Sequence, residues 1–242
     1  MKDGYIRVAS ASIDTLIGNV KHNAIKKVLK ETREKKAQVV VFPELVLSGY
    51  TLEDLFLQNR LLNECLVQLE EIMHDTKGHQ QIVVIGLPFH YQNNLYNVSA
   101  VLYDGNILGI VPKYHIPNYN EYYEGRRFTS CFEDNIEIEL FGQIVLFGRK
   151  VVFACQNLPS FTLGVEICED LWLPNAPSNE LALNGATVIC NTSASNELTA
   201  KKDYRRNLVS MQSAKLVSGY VYSNAGSGES TTDVVFSGHH LI

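Results

Sequence analysis

Several features that mark other classes of protein are missing from this 242-residue chain. No apolar run approaches the roughly 20 residues that a membrane-spanning helix needs, and the opening "MKDGYIRVAS" lacks the apolar core of a secretory signal. The balance of 21 basic and 26 acidic side chains gives a net charge of -5, and no Lys/Arg cluster lies beside interleaved aromatic residues. We therefore expect a cytoplasmic protein that binds neither membrane nor nucleic acid.

The cysteines and histidines also lack the spacing patterns of disulfide-rich or metal-binding proteins. No C-x-x-C pair and no helical H-E-x-x-H motif occur, which argues against a disulfide framework or a zinc site. The five scattered cysteines are Cys65, Cys131, Cys155, Cys168 and Cys190. We expect no metal and no cofactor in this chain.

Hydrophobic periodicity predicts alternating strands and helices in the first third of the chain. "YIRVASASI" predicts a half-buried strand, and the apolar run in "QVVVFPEL" predicts a strand buried on both faces. Residues 19–37 predict a helix with five apolar side chains at helical spacing: Val20, Ala24, Ile25, Val28 and Leu29. A second helix is predicted from about Glu53 to Asp75, and four leucines are expected to point inward: Leu55, Leu62, Leu66 and Leu69.

The rest of the chain is dominated by predicted strands. "LYNVSAVLYD" and "ILGIVPK" are joined by "DGN", which is a hairpin signal. "NELALNG" predicts a short helix closed by Gly185, and residues 202–217 predict another helix. Helices near the ends and strands between them favour an α/β sandwich with mixed sheets over a Rossmann domain. The last predicted strand, "TDVVFSG", is followed by no cap or polar tail, so we expect a C-terminally truncated chain.

The stretch "GVEICEDLW" sets a thiol, Cys168, among Glu166, Glu169 and Asp170. Charged carboxylates raise the pKa of a nearby thiol, so a nucleophilic cysteine here requires a base and a fixed cation. Side chains alternate along a strand, and Glu166 and Cys168 should therefore share a face while Glu169 turns away.

Two other strand ends supply the required groups. Glu44 follows the apolar run in "VVVFPEL", and Lys113 follows "ILGIVP". Each of these residues also has an ordinary interpretation: Cys168 as a core residue, as Cys190 is expected to be, Glu44 as a turn or capping residue, and Lys113 as a surface lysine.

Four segments in chain order resemble a known family: "VFPEL", "VPKYHIPNYNEYYEGRRF", "GVEICEDLW" and "NTSAS". They are similar to the signature segments of the nitrilase (carbon-nitrogen hydrolase) superfamily, above all those of the glutaminase domains of glutamine-dependent NAD⁺ synthetases. The resemblance implies a four-layer αββα sandwich with two mixed β-sheets and a homo-oligomer paired through helices. It also implies a triad of Glu44 as base, Lys113 as oxyanion stabiliser and Cys168 as nucleophile.

The resemblance implies further site residues. Glu124 supports Lys113 or the substrate, although a salt bridge to Arg126 or Arg127 is an alternative. Substrate contacts are implied at Tyr119, Glu169, Trp172, Ser195 and Lys201. Glu166 receives no role beyond a structural pairing. Asn196 and Ala200 depart from the family, in which "SAS" is usually followed by Pro and then, shortly before a basic residue, by Gly.

The function that the resemblance implies is hydrolysis of L-glutamine to glutamate and ammonia through a cysteine thioester. The ammonia would pass to a C-terminal synthetase domain that uses ATP and Mg²⁺ to amidate nicotinic acid adenine dinucleotide. That domain is not expected in residues 1–242, because "NAGSGES" is short and no helical segment follows it. The alternatives are a free-standing amidase or N-carbamoyl hydrolase and a silent binding module, and the presence of all three triad residues argues against the latter.

Overall fold

The computed structural model describes residues 4–21 and 25–242, and its strands form two mixed sheets that stack face to face. The seven-stranded sheet has the order β1-β2-β3-β4-β5-β7-β6 and contains β1 (Val8–Ser10), β2 (Val39–Val41), β3 (Ile82–Tyr91), β4 (Asn94–Tyr103), β5 (Asn106–Pro112), β6 (Ile136–Leu140) and β7 (Gln143–Phe147). The four-stranded sheet has the order β11-β10-β9-β8 and contains β8 (Val152–Ala154), β9 (Thr162–Ile167), β10 (Val188–Ser193) and β11 (Gly219–Asn224).

Helices cover the outer faces of both sheets. The α-helices of the described chain are α1 (Ile25–Glu34), α2 (Asn59–Asp75), α3 (Pro177–Leu183) and α4 (Lys201–Leu216). Leu29 of α1 and Leu69 of α2 join the core on the seven-stranded sheet. Leu181 of α3 and Val209 of α4 join the core on the four-stranded sheet, and a valine-rich core fills the space between the sheets. The predicted four-layer αββα sandwich is therefore confirmed.

The strand directions bring three candidate residues to one end of the sandwich: Glu44 after β2, Lys113 after β5 and Cys168 after β9. β2 and β3 are parallel, and β5 runs the same way because both β3 and β5 are antiparallel to β4. β9 and β10 are parallel in the second sheet. The ends of the two sheets meet, since the N–H of Ala194 after β10 donates to the Glu44 carboxylate after β2 at 2.8 Å.

Most predictions based on local signals are confirmed. The "DGN" turn joins antiparallel β4 and β5, every residue of β2 is buried, and Gly185 follows α3 with a φ of +95°. The first helix is shorter than predicted, beginning at Ile25, while Ala24 lies outside the described residues.

The prediction of one helix from Glu53 to Asp75 is wrong at its start. Glu53–Leu57 forms a 3₁₀ turn, and the chain is extended at Gln58 before α2 begins. This turn buries Phe56 against Phe128, with ring centroids 5.0 Å apart, and leaves Leu55 55% exposed. Tertiary packing of one aromatic residue therefore overrides the leucine spacing, and only Leu62, Leu66 and Leu69 keep the predicted inward orientation.

The predicted strand in "TDVVFSG" is also wrong. Residues 232–238 form no strand. Their backbone instead bonds to loops, since the carbonyl of Val235 accepts from the N–H of Glu197 at 2.7 Å and the N–H of Gly238 donates to Ala225 at 3.0 Å. Phe236 is buried against Tyr50, with ring centroids 5.9 Å apart. An apolar run thus covers the end of the sandwich without joining a sheet.

Candidate active site

Glu44 is buried at the end of β2 by a close approach of two backbones. The loop Pro43–Leu45 passes so near β3 that a Cβ at Gly86 would lie 2.4 Å from the Leu45 nitrogen, so this approach requires glycine. The Glu44 Oε1 atom accepts from Lys113 Nζ at 2.7 Å. Its Oε2 accepts a backbone N–H, and Glu44 as a whole is 1% exposed. The carboxylate is therefore fixed in position and shielded from water.

Lys113 is completely buried where β5 ends, between two carboxylates. Besides its bond to Glu44, its Nζ donates to Glu124 Oε1 at 2.7 Å and Oε2 at 2.9 Å. Burial opposes its charge, but Glu124 and Glu44 outweigh burial and raise the pKa of Lys113 well above its usual value. The site thus holds a permanently charged ammonium.

Glu124 belongs to this buried group, and its alternative pairing with the neighbouring arginines is wrong. Arg126 pairs with Asp54, and Arg127 pairs with Asp54 and Glu53. The Tyr50 hydroxyl donates to Glu124 Oε1 at 2.8 Å. Burial raises the pKa of Glu124, while the Lys113 ammonium opposes that rise.

Cys168 lies directly after β9, in a turn that changes the direction of its side chain. Its φ is +44°, a left-handed conformation that costs energy for a residue with a Cβ, and a 3₁₀ turn runs from Cys168 to Leu171. Its backbone N–H donates to Asn191 Oδ1 at 3.1 Å. Burial, and then the Glu44 carboxylate, raise the pKa of the Cys168 thiol well above its usual value, with Lys113 opposing. The resting thiol is therefore protonated and needs a base to become a nucleophile.

The prediction that Glu166 and Cys168 share a face is wrong, because strand alternation ends at Ile167. Glu166 is buried on the helical side of the sheet, where it accepts from the Ser178 N–H at 2.8 Å and from the Tyr220 hydroxyl. Glu169 instead follows Cys168 in the 3₁₀ turn, and its carboxylate adds to the rise in the pKa of the Cys168 thiol that burial and Glu44 cause. Glu166 is thus paired within the core.

Two residues that organise the site were not identified from the sequence. Asn97 on β4 donates from Nδ2 to Glu44 Oε1 at 2.6 Å. Asp170 accepts from the N–H groups of His115 at 2.7 Å and Ile167 at 3.0 Å, so one carboxylate joins the loop after Lys113 to the last residue of β9, directly before Cys168. Burial raises the pKa of Asp170 to about 8. The asparagine in "LYNVSAV" is one of two polar side chains, with Ser99, in a mostly apolar stretch, and that polar interruption was the available signal.

Four of the five predicted substrate residues lie close together and form what we call the mouth of the site: Tyr119, Glu169, Trp172 and Lys201. The exception is Ser195. The half-exposed Tyr119 donates its hydroxyl to Glu169 Oε1 at 2.8 Å. Lys201 Nζ lies 5.2 Å from the centroid of the Trp172 ring. Ser195 is only 2% exposed, and its hydroxyl accepts from Arg205 Nη2 at 3.3 Å. The Glu169 carboxylate and the Lys201 ammonium therefore both lie close enough to influence the Cys168 thiol, while Ser195 is buried against Arg205.

Neither a metal centre nor a membrane span is found in the described part of the chain. Over residues 4–21 and 25–242, no group of three His, Cys, Asp or Glu side chains is arranged to hold a metal ion. Within the same ranges, no helix is both long enough and apolar enough to cross a bilayer.

Comparison with known proteins agrees with this geometry. The family model described as carbon-nitrogen hydrolase matches residues 8–225, which is most of the chain. The chain belongs to the carbon-nitrogen hydrolase family.

Among curated relatives, this hydrolase is 38% identical over 241 residues to the glutamine-dependent NAD(+) synthetase of Mycobacterium tuberculosis, covering 99% of this chain but 36% of the relative. Among solved structures, it matches a glutamine-dependent NAD(+) synthetase from Cytophaga hutchinsonii with a TM-score of 0.85 and 25% identity, covering 98% of this chain and 38% of that one. The chain thus spans little more than a third of these relatives.

An amidase from Nesterenkonia sp. AN1 shares the same fold. The TM-score is 0.77 at 16% identity, over 100% of this chain and 83% of the amidase. A likeness at this level of identity concerns the fold alone.

Proposed function

We propose that this hydrolase is the glutaminase part of a glutamine-dependent NAD⁺ synthetase and converts L-glutamine to glutamate and ammonia. The observation that carries the proposal is the buried Glu44–Lys113–Glu124 group beside Cys168, with Glu169 and Lys201 at the mouth. The relatives whose match extends over almost all of this chain, and which are themselves nearly three times as long, are named as such synthetases.

The opposite charges at the mouth suit a free amino acid. Glu169 can bind the α-ammonium of glutamine, and Lys201 can bind its α-carboxylate. The face of Trp172, near Lys201, offers an apolar wall for the methylene groups. A neutral aliphatic amide would use neither charge, which favours glutamine over the substrates of a free-standing amidase.

The first half of the reaction forms a thioester. Glu44 takes the proton of the Cys168 thiol as the sulfur attacks the side-chain amide carbon, which gives a tetrahedral oxyanion. Lys113 and a backbone N–H of the turn that begins at Cys168 stabilise this oxyanion. The proton on Glu44 then passes to the departing nitrogen, the C–N bond breaks, and ammonia leaves.

The second half of the reaction regenerates the enzyme. Glu44 accepts a proton from water while the water oxygen attacks the thioester carbon. The second tetrahedral intermediate collapses, the C–S bond breaks, and the thiolate recovers the proton from Glu44. Glutamate leaves, and no group has been consumed.

The wider setting follows from the same proposal. The ammonia would be used by a C-terminal synthetase domain that binds ATP and Mg²⁺, and we expect residues 1–242 to need neither. Pairing of subunits through their helices remains a prediction from the family resemblance.

The test compares ammonia release by the wild type, Cys168→Ala and Cys190→Ala. Cys190 is a matched control because it is a buried cysteine in the adjacent strand, β10. We expect ammonia release from L-glutamine that is lost only in Cys168→Ala, and labelling of Cys168 by a glutamine-shaped diazoketone, seen by intact mass. Turnover of aliphatic amides or N-carbamoyl amino acids with glutamine untouched would instead favour the free-standing amidases. Labelling that persists in Cys168→Ala would refute the assignment of the nucleophile.

A further inference from the structure

The loop between β10 and α4 carries the residues that depart from the family pattern, and one of them is a hydrogen-bonding centre. Asn196 is only 2% exposed. Its Oδ1 accepts from the Tyr122 hydroxyl at 2.8 Å and from the Lys201 ammonium, and its Nδ2 donates to Glu121. A proline at this position would have no amide with which to form these bonds.

The backbone of Asn196 is fixed as firmly as its side chain. Its N–H donates to the Tyr122 hydroxyl at 3.3 Å, and its carbonyl accepts from Arg205 Nη2 at 2.7 Å. Arg205 is completely buried and is also paired with Glu197 at 3.1 Å. The Asn196 amide therefore has one defined orientation and can serve as a rigid support.

The ammonium of Lys201, which this amide supports, forms no direct ion pair with the residues that the structure describes. Among the residues that the structure describes, no carboxylate lies within ion-pairing distance of its Nζ, although the residue is partly buried. Its Nζ also lies near two aromatic rings, 5.2 Å from the Trp172 ring centroid and 5.8 Å from that of Tyr122. A partly desolvated cation without a counterion favours an anionic ligand.

Glu121 is the carboxylate that could capture Lys201, because both bond to the same Asn196 side chain. Asn196 donates to Glu121 with its nitrogen and accepts from Lys201 with its oxygen. The amide thus occupies the position in which a direct Glu121–Lys201 ion pair would form. Such a pair would neutralise the cation and withdraw it from the mouth.

We propose that Asn196 is a positioning residue that holds the Lys201 ammonium free of Glu121 and directed to the mouth, so that the site selects amides carrying a carboxylate. This inference rests on the proposed function for the identity of the amide. On this inference Asn196, at a position where the family usually has proline, holds the Lys201 ammonium in place, and Lys201 binds the carboxylate of the ligand.

The test measures ligand binding in a Cys168→Ala background, where no turnover occurs. Trp172 is the single tryptophan of the chain and lies beside Lys201, so its fluorescence reports binding directly. The ligands are L-glutamine and L-glutaminamide, which lacks the carboxylate. We expect Asn196→Ala to weaken L-glutamine binding about 10- to 100-fold, the range for a lost hydrogen bond to a charged group, and to leave L-glutaminamide binding unchanged.

Further variants separate positioning from general damage. Lys201→Met should cause the same loss as Asn196→Ala, and the double variant should lose no more, because both changes remove one interaction. Glu121→Gln in the Asn196→Ala background should restore part of the affinity. Asn179→Ala is the matched control, since Asn179 also accepts from a lysine, Lys215 at 3.1 Å, but on the surface of α3.

Equal loss for both ligands in Asn196→Ala, or losses that add in the double variant, would overturn the inference. Wild-type preference for the carboxylate that depends on Asn196, together with an absence of glutamine hydrolysis, would refute the proposed function and leave this inference standing. Hydrolysis of glutamine by the wild type, together with unchanged L-glutamine binding in Asn196→Ala, would support the proposed function and overturn this inference.

Discussion

Replacing Lys113 by methionine removes the cation that lies between two buried carboxylates. Three hydrogen bonds of 2.7 to 2.9 Å are lost, and the side chains of Glu44 and Glu124, at most 6% exposed, remain. Methionine has a similar length, so packing changes little. The variant therefore isolates the electrostatic role of Lys113.

The loss in stability should be large at neutral pH. Removal of one partner from a buried ion pair costs about 3–5 kcal/mol, a substantial part of the roughly 5–15 kcal/mol that stabilises a typical protein. We therefore expect Lys113→Met to unfold at a much lower urea concentration at pH 8, and hydrolysis to be lost.

The pH dependence gives the sharper test. Burial raises the pKa of Glu124 and Lys113 opposes that rise, so its pKa should climb further in Lys113→Met. A carboxyl whose folded pKa exceeds its unfolded value stabilises the protein below the unfolded pKa, and this contribution is lost as pH rises through the folded pKa. The difference between wild type and variant should therefore be smaller at pH 5 than at pH 8.

Urea unfolding followed by circular dichroism at both pH values measures this difference. Lys26→Met is the control, because Lys26 pairs with Glu71 on the surface and its side chain is 55% exposed, so little change is expected at either pH. Lys113→Met/Glu124→Gln should recover part of the stability. An equal loss at pH 5 and pH 8, with no recovery in the double variant, would refute the electrostatic explanation.

Two further predictions concern the turns that hold the site. Asp170→Asn turns an amide N–H₂ toward a backbone N–H and should cost about 1–3 kcal/mol of folding stability. Because burial raises the pKa of Asp170 to about 8, the stabilising contribution of this carboxyl falls as pH rises. Urea unfolding should therefore show a smaller advantage of the wild type at pH 9 than at pH 5. Ala200→Gly should stabilise the chain by up to about 1 kcal/mol. Ala200 has a left-handed backbone conformation, with a φ of +64°, and glycine relieves a strain of about 1–2 kcal/mol against an entropic cost of about 0.4–1 kcal/mol. No rise in the unfolding midpoint would contradict this.

Strand ends were predictable because they depend on local sequence. The apolar runs before Glu44 and Lys113 each end at a proline, Pro43 and Pro112, and the run before Cys168 ends in acidic residues. A buried strand that stops at a polar residue leaves that residue at the edge of its sheet. The three candidate positions could thus be selected, although their contacts with one another could not be predicted.

Long-range pairings were the part that the sequence could not supply. Glu124 had equal access to arginines two and three residues away, yet it is buried with Lys113 while those arginines pair with Asp54 and Glu53. Asp170 was unassigned because its donors come from two separate segments, the end of β9 and the loop after Lys113. Phe56 and Phe236 likewise take their positions from aromatic neighbours distant in sequence.

The sequence by itself determined the alternation of strands and helices and the polar residues at the strand ends, because these follow from local periodicity and chain-breaking residues. Only the tertiary structure decided which charges meet. Two sheets had to stack before Glu44, Lys113 and Glu124 could be buried together, and the turn after β9 had to leave the strand before Cys168 and Glu169 could face the same mouth. Burial shifts the pKa values of these ordinary side chains, since desolvation and enclosed charge depend on neighbours that the chain brings together only when folded.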